Sequence, residues 1–332
     1  DRVSYLTNRS KDYGIDTGQN TVHMKEIRKR KRDIVDSFRN GSLRRIQDTV
    51  GLDLYMGTAS FSGKKELHID VNNGEPVSLT ADTIFINTGA QPSVPDIRGI
   101  DSISFLDSTT IMELDTVPEH LIVIGGGYIG LEFGQMFRRF GSRVTIIHRG
   151  PQLLMREDTD IAEEMRKILT EDGIEVLLST NPVAVVAQGD SSLQITVSVK
   201  AEDEVQKKTI AGSHLLAAAG RIPATDTLHP EKSGIEIDKR GFIRVNERLE
   251  TNVEGVFAIG DVKGGPAFTH ISYDDYRIVF GNLMEDGNRT IHDRPVPYTL
   301  FTDPQLGRVG ISEKEAHDAG LNIRVAKMPM NW

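Results

Sequence analysis

The sequence predicts an α/β fold, a parallel sheet with helices on its faces. Three observations carry that expectation. Between residues 120 and 218 apolar strand-like segments alternate with amphipathic helix-like ones, the pattern from which parallel sheets are built. Within that stretch the apolar run 121–124 meets Gly125, Gly127 and Gly130 in G-x-G-x-x-G spacing, and a helix-like pattern follows. Further on, a second apolar run delivers Asp261 at its carboxyl end, the end at which such sheets bind ligands.

Taken in order, residues 20–48 read as one long amphipathic helix, with Gly51 soon after it. Met24, Ile27, Ile34, Val35 and Phe38 recur at helical spacing and predict an apolar stripe, leaving the dense basic run 25–32 on a solvated face. Short strands are expected at 52–56, 66–71 and 77–80, then a buried strand within 83–92 that ends in a tight turn. Residues 92–118 are rich in Pro, Asp and Ser and read as a connection. A second crossover helix spans 158–171, with Gly173 as its stop signal. Strands are expected at 175–178, 193–199 and 214–218, and a second tight turn at 219–223. A helix over 269–284, a strand over 296–301 and a last strand over 323–328 complete the pattern.

The glycine motif predicts a dinucleotide site, because each glycine has a separate task. One makes the tight turn, one lets the backbone approach a pyrophosphate, and one lets helix and strand pack closely. The helix N-terminus then faces the phosphate charge. Ile129 lies inside this motif. The strand over 142–147 should end in the residue that reads the ribose. An acid there would hold the 2′-hydroxyl of NAD, but the residues are His148 and Arg149. A guanidinium suits a 2′-phosphate, so Arg149, helped by Arg156, argues for NADP(H). NAD stays open, as does a plain reading of both arginines as solvated surface residues.

The 332 residues exceed one typical domain, and 38% hydrophobic with 26% charged is an ordinary globular composition. A net charge of −9 argues against nucleic acid as a partner. No apolar run approaches the ~20 residues a membrane span requires, and no signal peptide is present, so no membrane association and a cytoplasmic location are expected. The chain contains no cysteine, so any redox thiol is expected to lie outside it, and no metal-ligating residue is assigned.

Four segments stand in a set order: Ile86-Asn-Thr-Gly-Ala-Gln-Pro92, the Gly125 motif, Ala219-Gly-Arg-Ile-Pro223 and Gly255-Val-Phe-Ala-Ile-Gly-Asp261. This order resembles the pyridine nucleotide–disulfide oxidoreductases. The wording of residues 125–141, 268–278 and 301–310 is especially similar to the mercuric-reductase-like FAD flavoproteins of that family. The resemblance covers nearly the whole chain, and the motifs are specific as a set.

The resemblance implies two Rossmann-like domains and the start of an α+β dimerisation domain. Residues 1–117 and 249–292 would form a discontinuous FAD domain, 118–248 the NAD(P) domain, and 293–332 the opening of the dimerisation domain. Asp261 would hydrogen-bond the ribityl chain of FAD, where an isolated reading sees a turn cap. Thr88 and Gly89 would lie along the FAD side. Tyr128 would be the lid over the flavin face, and Glu132 would pair with a lysine outside this chain. Gly220 and Arg221 would line the nicotinamide cleft. Phe268 and Thr269 open a helix whose positive end would face the flavin pyrimidine. Without the resemblance, Tyr128 reads as a core tyrosine and Glu132 as half of a surface ion pair.

The activity implied is hydride transfer from NAD(P)H to FAD, then to a cysteine pair and an external acceptor (a metal ion, disulfide, quinone or oxygen), in a homodimer. The family's FAD glycine motif and C-x-x-x-x-C pair would precede Asp1, and most of the dimerisation domain would follow Trp332. These residues alone are therefore expected to be inactive, and the alternative is a non-catalytic nucleotide-binding fragment.

Overall fold

The computed structural model describes residues 1–18, 20–189, 192–201, 204–292 and 294–329. They form two compact units, the first from Asp1–Lys31, Pro92–Gly220 and Pro297–Trp332, the second from Arg32–Gln91 and Arg221–Val296.

At the centre of the first unit is a parallel four-stranded sheet in the order His214–Ala217, His120–Ile124, Arg143–Ile147, Glu175–Leu177. Successive strand residues point to opposite faces, and here both faces are covered. Leu121, Val123, Val144 and Ile146 join one core with Leu131, Phe137, Met165 and Leu169, which come from the helices Tyr128–Phe140 and Thr159–Glu171. Ile122, Ile124 and Ile147 join a second core with Ile195, Val197 and Ile210. Burial on both sides is why these strands read as unbroken apolar runs rather than alternating ones.

The second face differs from the expectation of helices on both. It is covered by an antiparallel sheet of Thr180–Ala187, Leu193–Ala201 and Glu204–Gly212, of which only the central strand was expected. Glycine follows both helices, Gly173 at φ 83° as expected and Gly141 at φ 111° as the C-cap of Tyr128–Phe140. Tyr298–Leu300 and Leu306–Arg308 form a short hairpin-like pair. Ser312 and Glu315 then close a capping box on the helix Glu313–Asp318.

The second unit holds the antiparallel sheet Gly57–Gly63, Glu66–Val71, Val77–Thr80, and a parallel pair, Ile84–Ile86 with Val256–Ala258. Phe61, Ile84, Ile86, Val256 and Val262 share its core. The helix Thr269–Met284 adds Ile278 and Val279 to a smaller cluster with Leu249 and Phe257.

Three expectations are corrected. The helix Met24–Gln47 forms, but its stripe is not buried along its length. Met24 is 7% exposed, whereas Ile34, Val35 and Phe38 are 46%, 51% and 76% exposed. Periodicity identifies a face and not what covers it. Residues 52–56 form no strand; Leu52 and Leu54 alternate correctly but have no neighbouring strand to pair with. Residues 323–328 likewise form none. Of the region 293–332, Asp293 and residues 330–332 lie outside the described residues.

Candidate functional site

The glycine turn of the first unit opens onto a cleft of about 690 Å³, lined among others by Pro95, Gly125, Gly127, Tyr128, Arg149 and Gly220. Each motif glycine meets a different constraint. Gly125 has φ +120°, and a Cβ there would lie 2.2 Å from the Ala218 carbonyl oxygen. At Gly130 a Cβ would lie 2.3 Å from the Gly125 oxygen and 3.2 Å from Val123 Cγ1, so helix and strand touch backbone to backbone. At Gly127 a Cβ would meet nothing within 4 Å, which leaves that peptide open for a ligand. Gly127 is also the N-cap of Tyr128–Phe140 and supplies no side-chain cap. The first helical N–H groups therefore face the cleft without an intrahelical acceptor.

At the carboxyl end of Arg143–Ile147 stands His148. Its Nδ1 accepts the Gly126 N–H at 3.1 Å. Burial, and then the Arg149 charge, push its pKa below the ordinary histidine value, so the ring is a neutral acceptor. That acceptor is taken up by the glycine turn. Arg149 and Arg156 are both exposed and both line the cleft.

Tyr128 lies against a polar cluster on its own unit. Its hydroxyl is 3.4 Å from Glu157 Oε1, and its ring centroid is 5.4 Å from that of Tyr298. Glu157 is 5% exposed, also takes a hydrogen bond from Tyr298, and has Arg308 Nη1 at 3.6 Å from Oε2. Burial raises the pKa of both tyrosines, so both are neutral donors at physiological pH. One helical turn on, the Glu132 carboxylate accepts the Phe301 N–H at 2.8 Å, and burial raises its pKa.

In the second unit Val256–Ala258 leads into the turn Gly260–Lys263, which carries Asp261. Among the described residues no hydrogen bond occupies the Asp261 carboxylate, and the residue is half-buried. Gly89 adopts φ +75° beside the exposed Thr88, and its carbonyl accepts the Ala224 N–H at 3.0 Å. Arg221 donates to the Ala90 carbonyl. Phe268 is the N-cap of Thr269–Met284, and its ring stacks on His270 at 5.4 Å.

The family model for the pyridine nucleotide-disulphide oxidoreductases matches residues 14–275, and that for their dimerisation domain matches residues 296–331. The chain belongs to this family.

Among its oxidoreductase relatives is RclA of Escherichia coli (strain K12), 39% identical over 317 residues that span 95% of this chain and 69% of RclA. A mercuric reductase of Bacillus cereus is 31% identical over 99% of this chain and 51% of its own length. The chain thus spans about half to two thirds of the relatives it matches. The solved structure of the HOCl-induced flavoprotein disulfide reductase RclA from Escherichia coli superposes with a TM-score of 0.81 at 38% identity, covering 92% of this chain and 67% of that one.

Of the residues that the sequence and the family resemblance singled out, Gly125, Gly127, Tyr128, Arg149, Arg156 and Gly220 meet at one cleft. Ile129, Gly130 and Glu132 sit on the helix leaving it. Thr88, Gly89, Arg221, Asp261, Phe268 and Thr269 belong to the second unit. Sequence reasoning missed His148 as anchor of the glycine turn, and the Glu157–Tyr298–Arg308 cluster around Tyr128. A strand-end histidine was visible in the sequence; the cluster joins segments more than 140 residues apart and left no local signal. Among the described residues no helix is long and apolar enough to cross a membrane.

Proposed function

We propose that the chain is the nucleotide-handling part of an FAD-dependent oxidoreductase that takes its hydride from NADPH. The observation carrying this reading is the cleft of the first unit. Gly127 leaves an uncapped helix N-terminus open to a pyrophosphate, two arginines flank it, and no acid stands at the strand end. Arg149 and Arg156 would hold the 2′-phosphate through bidentate donors. His148 holds the turn in shape. Tyr128 would cover the inner end of the cleft, held by Glu157 until nicotinamide displaces it, and Gly220 would border the same space.

In this reading residues 1–117 and 249–292 belong to the FAD domain, 118–248 to the NADP domain and 293–332 to the dimerisation domain. Asp261, whose carboxylate takes no hydrogen bond among the described residues, fits a ribityl hydroxyl. Thr88, Gly89, Arg221, Phe268 and Thr269 would border the cofactor, the last at a helix N-terminus suited to negative charge. When bound, the two cofactors supply hydride transfer from nicotinamide to flavin. The protein excludes water and fixes the geometry. Passage to a cysteine pair and an external acceptor, a homodimeric assembly and a cytoplasmic location belong to the same proposal, and the match at 296–331 supports the dimer.

The test is cofactor identity in the product of the complete natural gene. Released flavin should chromatograph as FAD at one per protomer, and calorimetry should give tighter binding of NADPH than of NADH. Absence of flavin, or a preference for NADH, would refute the corresponding part.

A further inference from the structure

A deeply buried charge of the second unit lies inside the segment 268–278, at a residue to which the family resemblance assigned no role. Asp275, 0% exposed, sits on the helix Thr269–Met284. Its Oδ2 accepts the Gly260 N–H at 2.8 Å and lies 3.1 Å from Lys263 Nζ. Its Oδ1 accepts from Arg294 Nη1 at 2.6 Å. The cations are themselves enclosed, the Lys263 side chain 4% and the Arg294 side chain 12% exposed. Arg294 also reaches Asp274 at 3.3 Å, so the cluster balances two cations with two acids.

Two of the three groups on Asp275 are the first and last residues of the turn Gly260–Lys263, with Asp261 between them. The turn is pressed close: Gly260 has φ +70°, and a Cβ there would lie 2.6 Å from Asn87 Oδ1 and 2.8 Å from Ser272 Oγ. A carboxylate this deep is stable only where donors replace its lost water, and two of its three donors are the two ends of one turn.

We propose that Asp275 is a positioning residue: it clamps the Gly260–Lys263 turn and so presents the Asp261 carboxylate to the flavin cofactor. The cofactor half of this inference rests on the FAD reading above. Asp275 acts through Gly260 and Lys263 and reaches no ligand itself.

Two variants of the full-length natural protein test it. Asp275→Asn is isosteric but leaves Lys263 and Arg294 without their counter-charge. The triple variant Lys263→Met, Asp275→Leu, Arg294→Met replaces the cluster with apolar groups, a change that folded proteins often tolerate, yet offers Gly260 no acceptor. Both should weaken FAD binding, measured by reconstitution of the apoprotein, about tenfold or more. Both should speed hydrogen exchange at amides 260–264 by a similar factor, while NADPH affinity in the other unit changes by less than about twofold. If either folded variant keeps wild-type FAD affinity and wild-type exchange at 260–264, the proposal is overturned. A wild-type protein that carries no flavin would instead overturn the FAD reading, and the exchange data would still decide whether Asp275 holds the turn.

Discussion

Arg149 and Arg156 have the most direct consequence of any single residues. Each guanidinium at the cleft would contribute bidentate, charge-paired hydrogen bonds to a 2′-phosphate, which a neutral 2′-hydroxyl does not match. Replacing either with Ala should weaken NADPH binding about tenfold, by about 1.4 kcal/mol, and leave NADH binding unchanged; equal losses for both nucleotides would show that the arginines do not read the phosphate. Gly130→Ala places a methyl 2.3 Å from the Gly125 oxygen. It should destabilise the fold by about 1–3 kcal/mol and abolish nucleotide binding, whereas wild-type denaturation midpoint and affinity would contradict the close-packing argument. Gly125 and Gly130 were legible in the sequence because a Cβ at either would run into backbone. Asp275 was not: its partners come from the turn at 260–263 and from Arg294, and no spacing rule joins them.

At the scale of elements, the helix Tyr128–Phe140 does more than end the glycine turn. Its residues at i, i+3 and i+7 grip one extended segment. Glu132 takes the Phe301 N–H, and Gln135 both accepts from the Asp303 N–H at 2.8 Å and donates to its carbonyl at 3.0 Å. Arg139, its side chain 5% exposed, reaches Asp303 Oδ2 at 3.0 Å and Asp172 Oδ2 at 3.3 Å. Arg139→Ala would strand these partly buried acids and open a gap. Destabilisation of about 2 kcal/mol is expected, below the fully buried value because the acids keep some solvent. Chemical denaturation measures it, and a change under about 0.5 kcal/mol, the usual surface value, would show that the grip is incidental. The helix was readable from its apolar period. The antiparallel sheet on the other face was not, because Thr180–Ala187 contains Pro182 and Glu204–Gly212 is broken by Gln206, Lys207 and Lys208. Its identity as sheet is set by pairing with Leu193–Ala201, a tertiary fact.

For the molecule as a whole, the α/β class followed from the alternation of segments, while the division into units mixes distant stretches in a way no linear reading separates. The first unit contains His120, His148 and His214, and burial lowers the pKa of all three. Unfolded histidine titrates near 6.5, so below that pH the unfolded chain binds protons that the folded unit refuses. The contribution to stability is intact above about pH 6.5 and is lost as pH falls through the window beneath it. Hydrogen exchange across His120–Ile124 and its neighbours should therefore quicken between pH 7 and pH 5, after correction for intrinsic rates, and a flat stability profile would contradict the burial of these rings. The central claim, that the cleft delivers reducing equivalents from NADPH to a flavin, is met most directly by a visible spectrum of the complete gene product during anaerobic titration with NADPH. The account predicts a bound flavin whose absorbance bleaches with NADPH and responds more weakly to NADH. A colourless protein, or a flavin that stays oxidised in excess NADPH, would contradict it.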